Sequence, residues 1–428
     1  MKRRYSFLLW GIGSLIFLAV FSWHIYLIFS NPLVYQWDFK RYYYAGKLSL
    51  LGYSPYDLSM MVSLFGEHLP LKQAFIYPPY TIFIFKYLAK LDMLNAYYLF
   101  AIIKICAYLF ILSLWKKIFF RDTNACLFLL FISISVFSES VYTDFHAGNV
   151  SVFEQVFFWL GMAYFYNRKM MLSVIFMAFS NAFKLLYLPF SLLFMATGAL
   201  FYFWAFTITF IVSVAVTGYV FPAYSIEFIK NNLYFIEREE SGHISVSMRS
   251  FFRETLSGGV CNPELMYVLT AVLIFLISFY VVMKNRDLLK SQNHLLIYFF
   301  IVAYCLVTPR LKDYGQIILI PPAYFLLDYF LKKKRYLTFA ALIGVYFMLN
   351  PHYFLFLENG AKSFPPVLFN AFPGRSPANI WSVILNYHIL FTVWIIWVVY
   401  IAIIHRMGHL IGRQGTDKNQ KASFIGNE

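Results

Sequence analysis

A succession of long apolar segments is the feature that most limits what this 428-residue chain can fold into. A helix needs about 17–25 mostly apolar residues to cross roughly 30 Å of hydrocarbon. About twelve segments have this length or come close to it. They are 5–29, 95–115, 124–140, 151–166, 170–183, 185–197, 199–220, 264–283, 292–309, 314–330, 336–356 and 382–404. Because an open sheet edge leaves backbone groups unpaired in lipid, all are predicted to be helices, and the predicted fold is an all-α, polytopic membrane bundle.

The composition agrees with a protein embedded in a membrane. Hydrophobic residues make up 61% of the chain and aromatic residues 22%, both far above the range of soluble domains. The net charge of +15 comes from lysines and arginines that cluster in every second predicted loop. This positive-inside pattern predicts a multi-pass membrane protein with both termini in the cytoplasm, and we expect that membrane to be a bacterial cell membrane. The basic charge therefore gives no reason to expect a nucleic-acid partner.

The chain is predicted to form one membrane domain, 1–413, followed by a polar and disordered cytoplasmic tail, 414–428. Two long segments, 30–94 and 221–263, are predicted to lie outside the cytoplasm, where juxtamembrane helices and loops would cover the bundle. The cytoplasmic loops are short and almost only basic. Any chemistry is therefore expected on the outer face.

The segment 74–91 is apolar enough to resemble a further span. A span there would turn the basic loop at Lys116, Lys117 and Arg121 outward and invert the orientation of everything after it. We therefore expect 74–91 to lie on the outer membrane surface or to dip into it, as a helix begun by the prolines at 78 and 79.

Ionisable residues are concentrated on the predicted outer side of the bundle. They are Asp38, Asp144, His146, Lys184, Arg249, Arg253, Arg310, Lys312 and Asp313. The sequence carries neither a Walker nor a dinucleotide phosphate loop, and neither HExxH nor GxSxG. These patterns argue against an ATP-driven or Rossmann-type enzyme.

Short motifs follow one another along the chain in a definite order. They are Asp38 after the first apolar helix, Tyr42 to Ala45, Gly52-Tyr53-Ser54-Pro55-Tyr56-Asp57, Tyr77-Pro78-Pro79, Gly148-Asn149-Val150-Ser151, Phe183-Lys184 with Pro189, and Thr308-Pro309-Arg310-Leu311-Lys312-Asp313-Tyr314. In this order and spacing they resemble the polytopic GT-C glycosyltransferases. More narrowly, the chain is similar to glycosyltransferase family 87, the polyprenyl-phosphate-mannose-dependent mannosyltransferases.

The resemblance implies an enzyme that moves a sugar, mannose in this family, from a polyprenyl-phosphate donor to a lipid-linked or other glycan acceptor at the extracytoplasmic face. It implies inversion at the anomeric carbon, no cofactor and no metal. Asp38 is the predicted general base, because a carboxylate beside the sugar can take the proton of the attacking hydroxyl. The simpler interpretation is that Asp38 caps a helix beginning at Phe39.

Lys184, Arg310 and Lys312 are predicted to bind the donor phosphate. Lys184 interrupts a long apolar run, and an ammonium in hydrocarbon costs about 2.5–3.5 kcal/mol, so it is expected at an outer turn. Fixed cations there would stabilise the negative charge that the leaving polyprenyl phosphate gains, and arginine can hold a phosphate with two hydrogen bonds. The alternative is that these cations reach only to lipid head groups.

Asp313 is predicted to orient the acceptor as a second catalytic residue, or else to pair with Arg310 or Lys312. The chain departs from the family pattern just after it. Tyr314 and Gly315 stand near the place where family members carry a histidine, which argues against a second catalytic base.

Tyr42, Tyr77, Asn149 and Arg253 are the predicted substrate-binding residues. The first three accompany the motifs given above. Arg253 lies in a segment of mixed aromatic and basic residues that would suit a flexible cover over the site. The alternative for that segment, 245–256, is an amphipathic surface helix.

Asp144, His146 and Glu154 are close enough in sequence to be considered as metal ligands. The chain has no D-x-D or E-x-D pattern, however, and scattered carboxylates are weak support for a metal. The sequence therefore predicts no metal site.

Two other functions remain open at the level of sequence. A lipid-linked glycan transporter would be expected to carry charged or broken-helix features near the midplane. A polytopic O-antigen polymerase or ligase would place its main outer loop late in the chain and use arginine and histidine there. In this chain the first outer segment holds the best candidate residue, which favours the glycosyltransferase.

Overall fold

The structure, a computed structural model, covers most of the chain. The described residues are 2–30, 36–66, 75–183, 187–238, 245–256, 261–347 and 387–425. Within these ranges the side chains that lie outside the description are those of 2–10, 182, 234–238, 313 and 410–425. Over the described ranges the backbone forms helices and turns and no strand, so the predicted all-α class is confirmed.

The N-terminal half combines two long helices with several short ones. The helices are α1 (Lys2–Ser30), α2 (Trp37–Leu50), α3 (Leu58–Phe65), α4 (Ile82–Leu88), α5 (Met93–Leu114), α6 (Ala125–Ile134), α7 (Ser138–Ala147), α8 (Ser151–Tyr166), α9 (Met170–Phe183) and α10 (Leu192–Thr197). A π-helical turn, Trp115–Phe119, extends α5. Two 3₁₀ turns, Pro79–Thr81 and Leu188–Ser191, lead into α4 and α10.

The C-terminal half follows the same plan. Its helices are α11 (Leu200–Val220), α12 (Pro222–Arg238), α13 (Met248–Leu256), α14 (Pro263–Lys284), α15 (Arg286–Ser291), α16 (Asn293–Val307), α17 (Ile320–Lys332), α18 (Tyr336–Phe347) and α19 (His388–Ile425). A 3₁₀ segment, Asp313–Leu319, leads directly into α17. The predicted outer segment 221–263 thus contains two helices, α12 and α13.

Six helices in the described part of the chain are long and apolar enough to cross a membrane, and a bent pair of helices, α6 and α7, would make a seventh span. Four further apolar helices have only 10–17 residues. At 1.5 Å per residue a 15-residue helix covers about 22 Å, less than the hydrocarbon thickness of roughly 30 Å. The predicted membrane character is confirmed, whereas the count of twelve spans is not.

The predicted span 124–140 is bent by 53° between α6 and α7. The Ser135 hydroxyl contacts the Ser138 hydroxyl at 3.0 Å, and Ser138 Oγ also donates to the carbonyl of Phe131 at 3.0 Å. The Phe131 carbonyl also accepts the backbone N–H of Ser135 at 3.1 Å, so the serine side chains add bonds at the point where the helix is interrupted.

Two further predictions concern the segment 74–91 and the C-terminal tail. The only α-helix in the described part of 74–91 is α4, with seven residues, so a crossing there is excluded by length, as the charge pattern predicted. The tail differs from the prediction, because α19 continues to Ile425. No proline interrupts 405–425, and its Lys, Gln and Ala residues favour helix.

Packing brings the beginning of α2 against the junction of α7 and α8. α2 packs on α4, α7 packs on the 3₁₀ segment Asp313–Leu319, and α8 packs on α5 and α9. Phe39 of α2 lies 5.3 Å from Tyr97 and 5.1 Å from Phe100 between ring centroids, which fixes α2 to α5. The first turn of α2 and the α7–α8 junction are therefore held in one place.

Candidate active site

Asp38 lies in the first turn of α2 and is only 4% exposed. The helix begins at Trp37 rather than at Phe39, and the residue before it, Gln36, makes no side-chain capping bond. Asp38 Oδ2 accepts a 2.6 Å hydrogen bond from Asn149 Nδ2, and Arg41 Nη1 lies 3.4 Å from Asp38 Oδ1. The interpretation of Asp38 as the cap of a helix starting at Phe39 is therefore wrong, since its carboxylate faces across the fold.

The turn between α7 and α8 directs the Asn149 side chain toward the Asp38 carboxylate. Gly148 ends α7 in the left-handed region, with φ of 64°, a conformation that glycine adopts without cost. The backbone N–H of Gln36 donates to the carbonyl of His146 at 2.9 Å and ties the turn to α2. Asn149 Oδ1 accepts from the N–H and the hydroxyl of Ser151, at 3.0 and 2.9 Å. This fixes the amide orientation and leaves Nδ2 to face Asp38.

Tyr77 and Tyr42 extend the cluster away from Asp38. Asn149 Nδ2 is also 3.3 Å from the Tyr77 hydroxyl, which lies 2.6 Å from the Tyr42 hydroxyl. Burial, followed by the nearby Tyr77, Asp38 and Tyr314, raises the pKa of Tyr42 well above its ordinary value, so the phenol stays protonated as a donor. The structure thus brings together four residues that the sequence nominated: Asp38, Tyr42, Tyr77 and Asn149.

A cavity of about 360 Å³ lies beside this cluster. Tyr77 forms part of its wall, together with Arg310, Lys312 and Glu154, so two cations and one carboxylate meet the same space. Asp38 is not among the described residues that line the cavity. It is bonded to Asn149, which in turn contacts Tyr77 in the cavity wall. An anionic group bound near Arg310 and Lys312 would therefore lie beside the residues that hold Asp38.

A second cavity, also of about 360 Å³, is lined almost entirely by apolar side chains from α10, α14 and α16. Tyr304 lines both this groove and the charged cavity. The groove extends along α16 past Phe299 and Ala303, and it reaches Arg286 of α15. A charged cavity and an apolar groove that share a side chain suit a ligand with a charged head and a long apolar chain.

Lys104, in the middle of α5, is a buried cation that was not among the predicted site residues. It is 1% exposed and lies 2.8 Å from Asp144 Oδ2. Its ammonium also donates to the carbonyls of Asp144 and Asn149, each at 2.5 Å. Removing one partner of such a pair costs about 3–5 kcal/mol. Its place in the centre of the predicted span 95–115 is a sequence signal that could have identified it.

The structure describes only some of the other predicted site residues. Lys184 lies outside the described residues, and so does the side chain of Asp313. Arg253 is hydrogen-bonded to Glu264 on α14, and Arg249 bonds the same carboxylate at 2.9 Å. These bonds join Arg253 to α14 in the described part of the chain, and its predicted role in substrate binding stays a prediction. The helix α13 that carries Arg253 agrees with the alternative of a helical segment at 245–256.

Three residues near the site were missed by the sequence analysis or given another interpretation. Arg41 contacts Asp38, Tyr314 lines the cavity beneath Lys312 with 5.9 Å from ammonium to ring centroid, and Glu154 lines the cavity while only 1% exposed. Arg41 follows Asp38 by three residues, the helical spacing that places two side chains on one face. That spacing could have identified it.

Asp144, His146 and Glu154 do not form a metal site in the part of the chain that the structure describes. Asp144 pairs with Lys104, and His146 Nε2 lies 3.4 Å from His24 Nδ1. No group of three His, Cys, Asp or Glu residues is gathered for a metal ion among the described residues.

The fold and the site define a polytopic membrane protein with a buried carboxylate beside a charged cavity and an apolar groove. A family model described as glycosyltransferase family 87 matches residues 75–309, more than half of the chain. The chain belongs to glycosyltransferase family 87 and is a membrane glycosyltransferase, as the motif order predicted. No curated protein and no solved structure matches it. The matched range contains Tyr77 and Asn149, begins after Asp38 and ends before Arg310.

Proposed function

We propose that the protein transfers a sugar from a polyprenyl-phosphate donor to a lipid-linked or other glycan acceptor at the extracytoplasmic face, with Asp38 as general base and inversion of the anomeric carbon. The family resemblance of its motifs favours mannose as the sugar. The single observation that carries the proposal is the buried Asp38–Asn149–Tyr77 chain of hydrogen bonds at the wall of a cavity containing Arg310 and Lys312.

The charged cavity is the proposed site of the donor phosphate. Arg310 and Lys312 come from the short link between α16 and the 3₁₀ segment Asp313–Leu319, so their backbone is fixed by two packed elements. As the bond from the anomeric carbon to the phosphate oxygen breaks, the polyprenyl phosphate gains negative charge. Cations already in place stabilise that charge without reorganising. Lys184 would add a third cation if its side chain reaches the same cavity.

The apolar groove is the proposed site of the first isoprene units. Tyr304, shared by the groove and the cavity, lies where the phosphate would meet the chain. Each methylene removed from water contributes about 0.8 kcal/mol to binding when the reference is water. For a donor already dissolved in lipid the gain is smaller, and the groove then also serves to align the phosphate with Arg310 and Lys312.

The reaction needs a base on the side opposite the leaving phosphate. In the proposed step the acceptor hydroxyl oxygen bonds the anomeric carbon, the bond to the phosphate oxygen breaks, and the hydroxyl proton passes to the Asp38 carboxylate. A positioned base typically contributes about 10²–10⁴ in rate. The hydrogen bond from Asn149 holds one oxygen of Asp38 in place, and the other is left for the acceptor once substrate displaces Arg41 Nη1 from its 3.4 Å contact.

The proposal is tested with the full-length protein in liposomes and a panel of defined donors. Polyprenyl-phosphate-mannose, polyprenyl-phosphate-glucose and a nucleotide-linked mannose are offered with a membrane lipid extract as the source of acceptor. We expect transfer from a polyprenyl-phosphate donor and none from the nucleotide sugar, because the groove and cavity together match a lipid phosphate. Transfer from the nucleotide sugar alone would contradict the donor class.

A matched chain-length series separates the groove from the cavity. Donors with two, four and eleven isoprene units present the same phosphate and sugar to Arg310 and Lys312. We expect KM to fall as the chain lengthens until the groove is filled and then to remain constant. Equal KM for all lengths would show that the groove takes no part in donor binding.

A further inference from the structure

We propose that Lys104 is a positioning residue of the active site, which fixes the α7–α8 turn and through it holds the Asn149 amide against Asp38. The inference rests on the proposed role of Asp38 and adds a residue to it. Lys104 does not touch Asp38 itself. Its effect would pass through the backbone of one intervening residue, Asn149.

The geometry at Lys104 is that of an ammonium with three oxygen partners. These are Asp144 Oδ2 at 2.8 Å and the carbonyls of Asp144 and Asn149 at 2.5 Å each. Asp144 is the fourth residue from the end of α7, and Asn149 precedes α8. The Lys104 side chain of α5 therefore bonds to both ends of the turn that connects α7 with α8.

The turn also has backbone bonds of its own, one of them from the N–H of Gly148 to the carbonyl of Phe145 at 3.2 Å. The N–H of Asn149 donates to the carbonyl of Asp144 at 3.1 Å, so the two carbonyls that Lys104 grips belong to one closed loop. Lys104 ties the turn to α5 alongside the ring contact between Phe145 and Tyr108, and two bonds from Gln36, to the carbonyls of His146 and Phe145, tie it to α2. Loss of Lys104 removes the bond to the Asn149 carbonyl, so this end of the turn can shift with respect to Asp38.

A shift of the turn moves the Asn149 amide directly. Its side-chain oxygen is bonded to Ser151 at the start of α8, so the side chain cannot rotate to follow Asp38 when the backbone moves. A displacement of about 1 Å at a catalytic constellation can lower the rate about 10²-fold. Such a displacement would lengthen the 2.6 Å contact between Asn149 and Asp38 beyond the hydrogen-bond range of about 3.2 Å.

Stability alone is a weak explanation for this buried pair. Replacing a buried ion pair by apolar residues of similar volume is often neutral or stabilising, and charged residues inside membrane segments are costly and tend to be functional. An apolar contact between α5 and α7 could hold the helices together. It could not bond the two carbonyls that set the direction of the Asn149 side chain.

The test is a double-mutant cycle on the full-length protein in liposomes. Lys104→Met together with Asp144→Asn removes both charges at once, so that no uncompensated charge remains buried. We expect kcat for sugar transfer to fall about 10²-fold while KM for the polyprenyl-phosphate donor stays within about twofold. The same double substitution made in an Asn149→Ala background should lower kcat no further, because the amide through which Lys104 acts is already gone.

Lys116→Met is the matched control. Lys116 also donates to two backbone carbonyls, those of Phe120 at 2.9 Å and Arg121 at 3.1 Å, but it lies in the π-helical turn that follows α5. Its loss should leave kcat unchanged. The folded state of each variant is checked by its thermal unfolding midpoint in detergent and by donor binding.

Two results would overturn the proposal. One is a folded Lys104→Met/Asp144→Asn protein with wild-type kcat. The other is a loss of kcat that is as large in the Asn149→Ala background as in wild type, which would mean that Lys104 acts by another route. If the double variant fails to fold, Lys104→Gln, which can still donate to a carbonyl, is entered in the same cycle. Absence of transfer by the wild-type protein would count against the proposed function instead.

Discussion

Asn149 donates a 2.6 Å hydrogen bond to the carboxylate of Asp38 although the two residues are 111 positions apart in the chain. The bond joins the first turn of α2 to the turn that begins α8, and both side chains are buried. A hydrogen bond to a charged group contributes about 1.5–3 kcal/mol. It therefore fixes where the proposed base lies and makes the α7–α8 turn part of the proposed active site.

Gly148→Ala should damage both stability and transfer. A Cβ at Gly148 would lie 2.5 Å from Gln36 Oε1 and 2.6 Å from Phe39 Cβ, and the residue has φ of 64°. The left-handed conformation alone costs a residue with a side chain about 1–2 kcal/mol, and the collision would push α2 away from Asn149. We expect a lower unfolding midpoint in detergent and a kcat reduced about 10²-fold.

Gly218→Ala is the control for that substitution. A Cβ at Gly218 in α11 meets nothing within 4 Å, and alanine favours the helix over glycine by up to about 1 kcal/mol. The unfolding midpoint should stay the same or rise, with transfer unchanged. Equal loss of activity in the two alanine variants would contradict the role given to the α7–α8 turn.

Arg310→Gln should weaken transfer strongly, and Lys312→Gln should do so to a smaller extent. Loss of a hydrogen bond between Arg310 and a charged phosphate corresponds to about 1.5–3 kcal/mol, or roughly 10- to 100-fold in kcat/KM. The initial rate over a range of donor concentrations measures this. A wild-type kcat/KM in the Arg310→Gln protein would remove Arg310 from the donor site.

Arg249→Gln and Arg253→Gln provide the comparison for the two cations. Both arginines bond Glu264, which is partly exposed. Neither arginine is among the described residues that line the charged cavity, and exposed ion pairs contribute only about 0.2–1 kcal/mol to stability, so each substitution should leave the protein folded and kcat/KM within about fivefold of wild type. A much larger loss for Arg253 than for Arg249 would support the sequence-based prediction that Arg253 binds substrate, because the shared carboxylate would not account for the difference.

Ala303→Trp should raise KM for donors with two and with eleven isoprene units alike, because both contain the first units of the chain. Ala303 lines the apolar groove, and an indole ring there would occupy the space proposed for the first isoprene units. Loss of two buried methylene contacts corresponds to about 1.6 kcal/mol with water as reference, or roughly 15-fold in KM, and to less for a donor dissolved in lipid. The comparison uses donors with two and eleven isoprene units.

Leu276→Trp is the control for the groove. Leu276 lies on α14, as part of the groove does, but 56% of its side chain is exposed on the outside of the bundle. KM should not change for either donor. An equal rise in KM for Ala303→Trp and Leu276→Trp would mean that added bulk on these helices disturbs the fold rather than the groove.

The sequence predicted the membrane character, the helical class and the family, because each depends on local patterns. Apolar runs identified helices such as α5, α11 and α14, and the charge pattern correctly excluded a crossing at 74–91. The count of twelve spans was not confirmed, since helices of 10–17 residues and the bent α6–α7 pair are set by packing and by serine side chains. Hydropathy does not report either effect.

The site was predicted in part for a similar reason. Asp38, Tyr42, Tyr77 and Asn149 were named from short motifs, and they lie together. Lys104 was missed because its partners come from another helix. The predicted start of α2 at Phe39 was also wrong, because the helix begins two residues earlier, at Trp37, and so includes Asp38.

The measurement that tests the central claim most directly compares Asp38→Asn with Glu154→Gln. Both substitutions exchange a buried carboxylate for an amide of nearly the same shape, and Glu154 is the carboxylate that lines the cavity itself. Single-turnover transfer from bound polyprenyl-phosphate-mannose is followed in both proteins after donor binding has been confirmed. We predict that Asp38→Asn lowers the rate by about 10²–10⁴ and that Glu154→Gln stays within about tenfold of wild type. Near-normal transfer by Asp38→Asn together with loss of transfer by Glu154→Gln would contradict the account and make Glu154 the base.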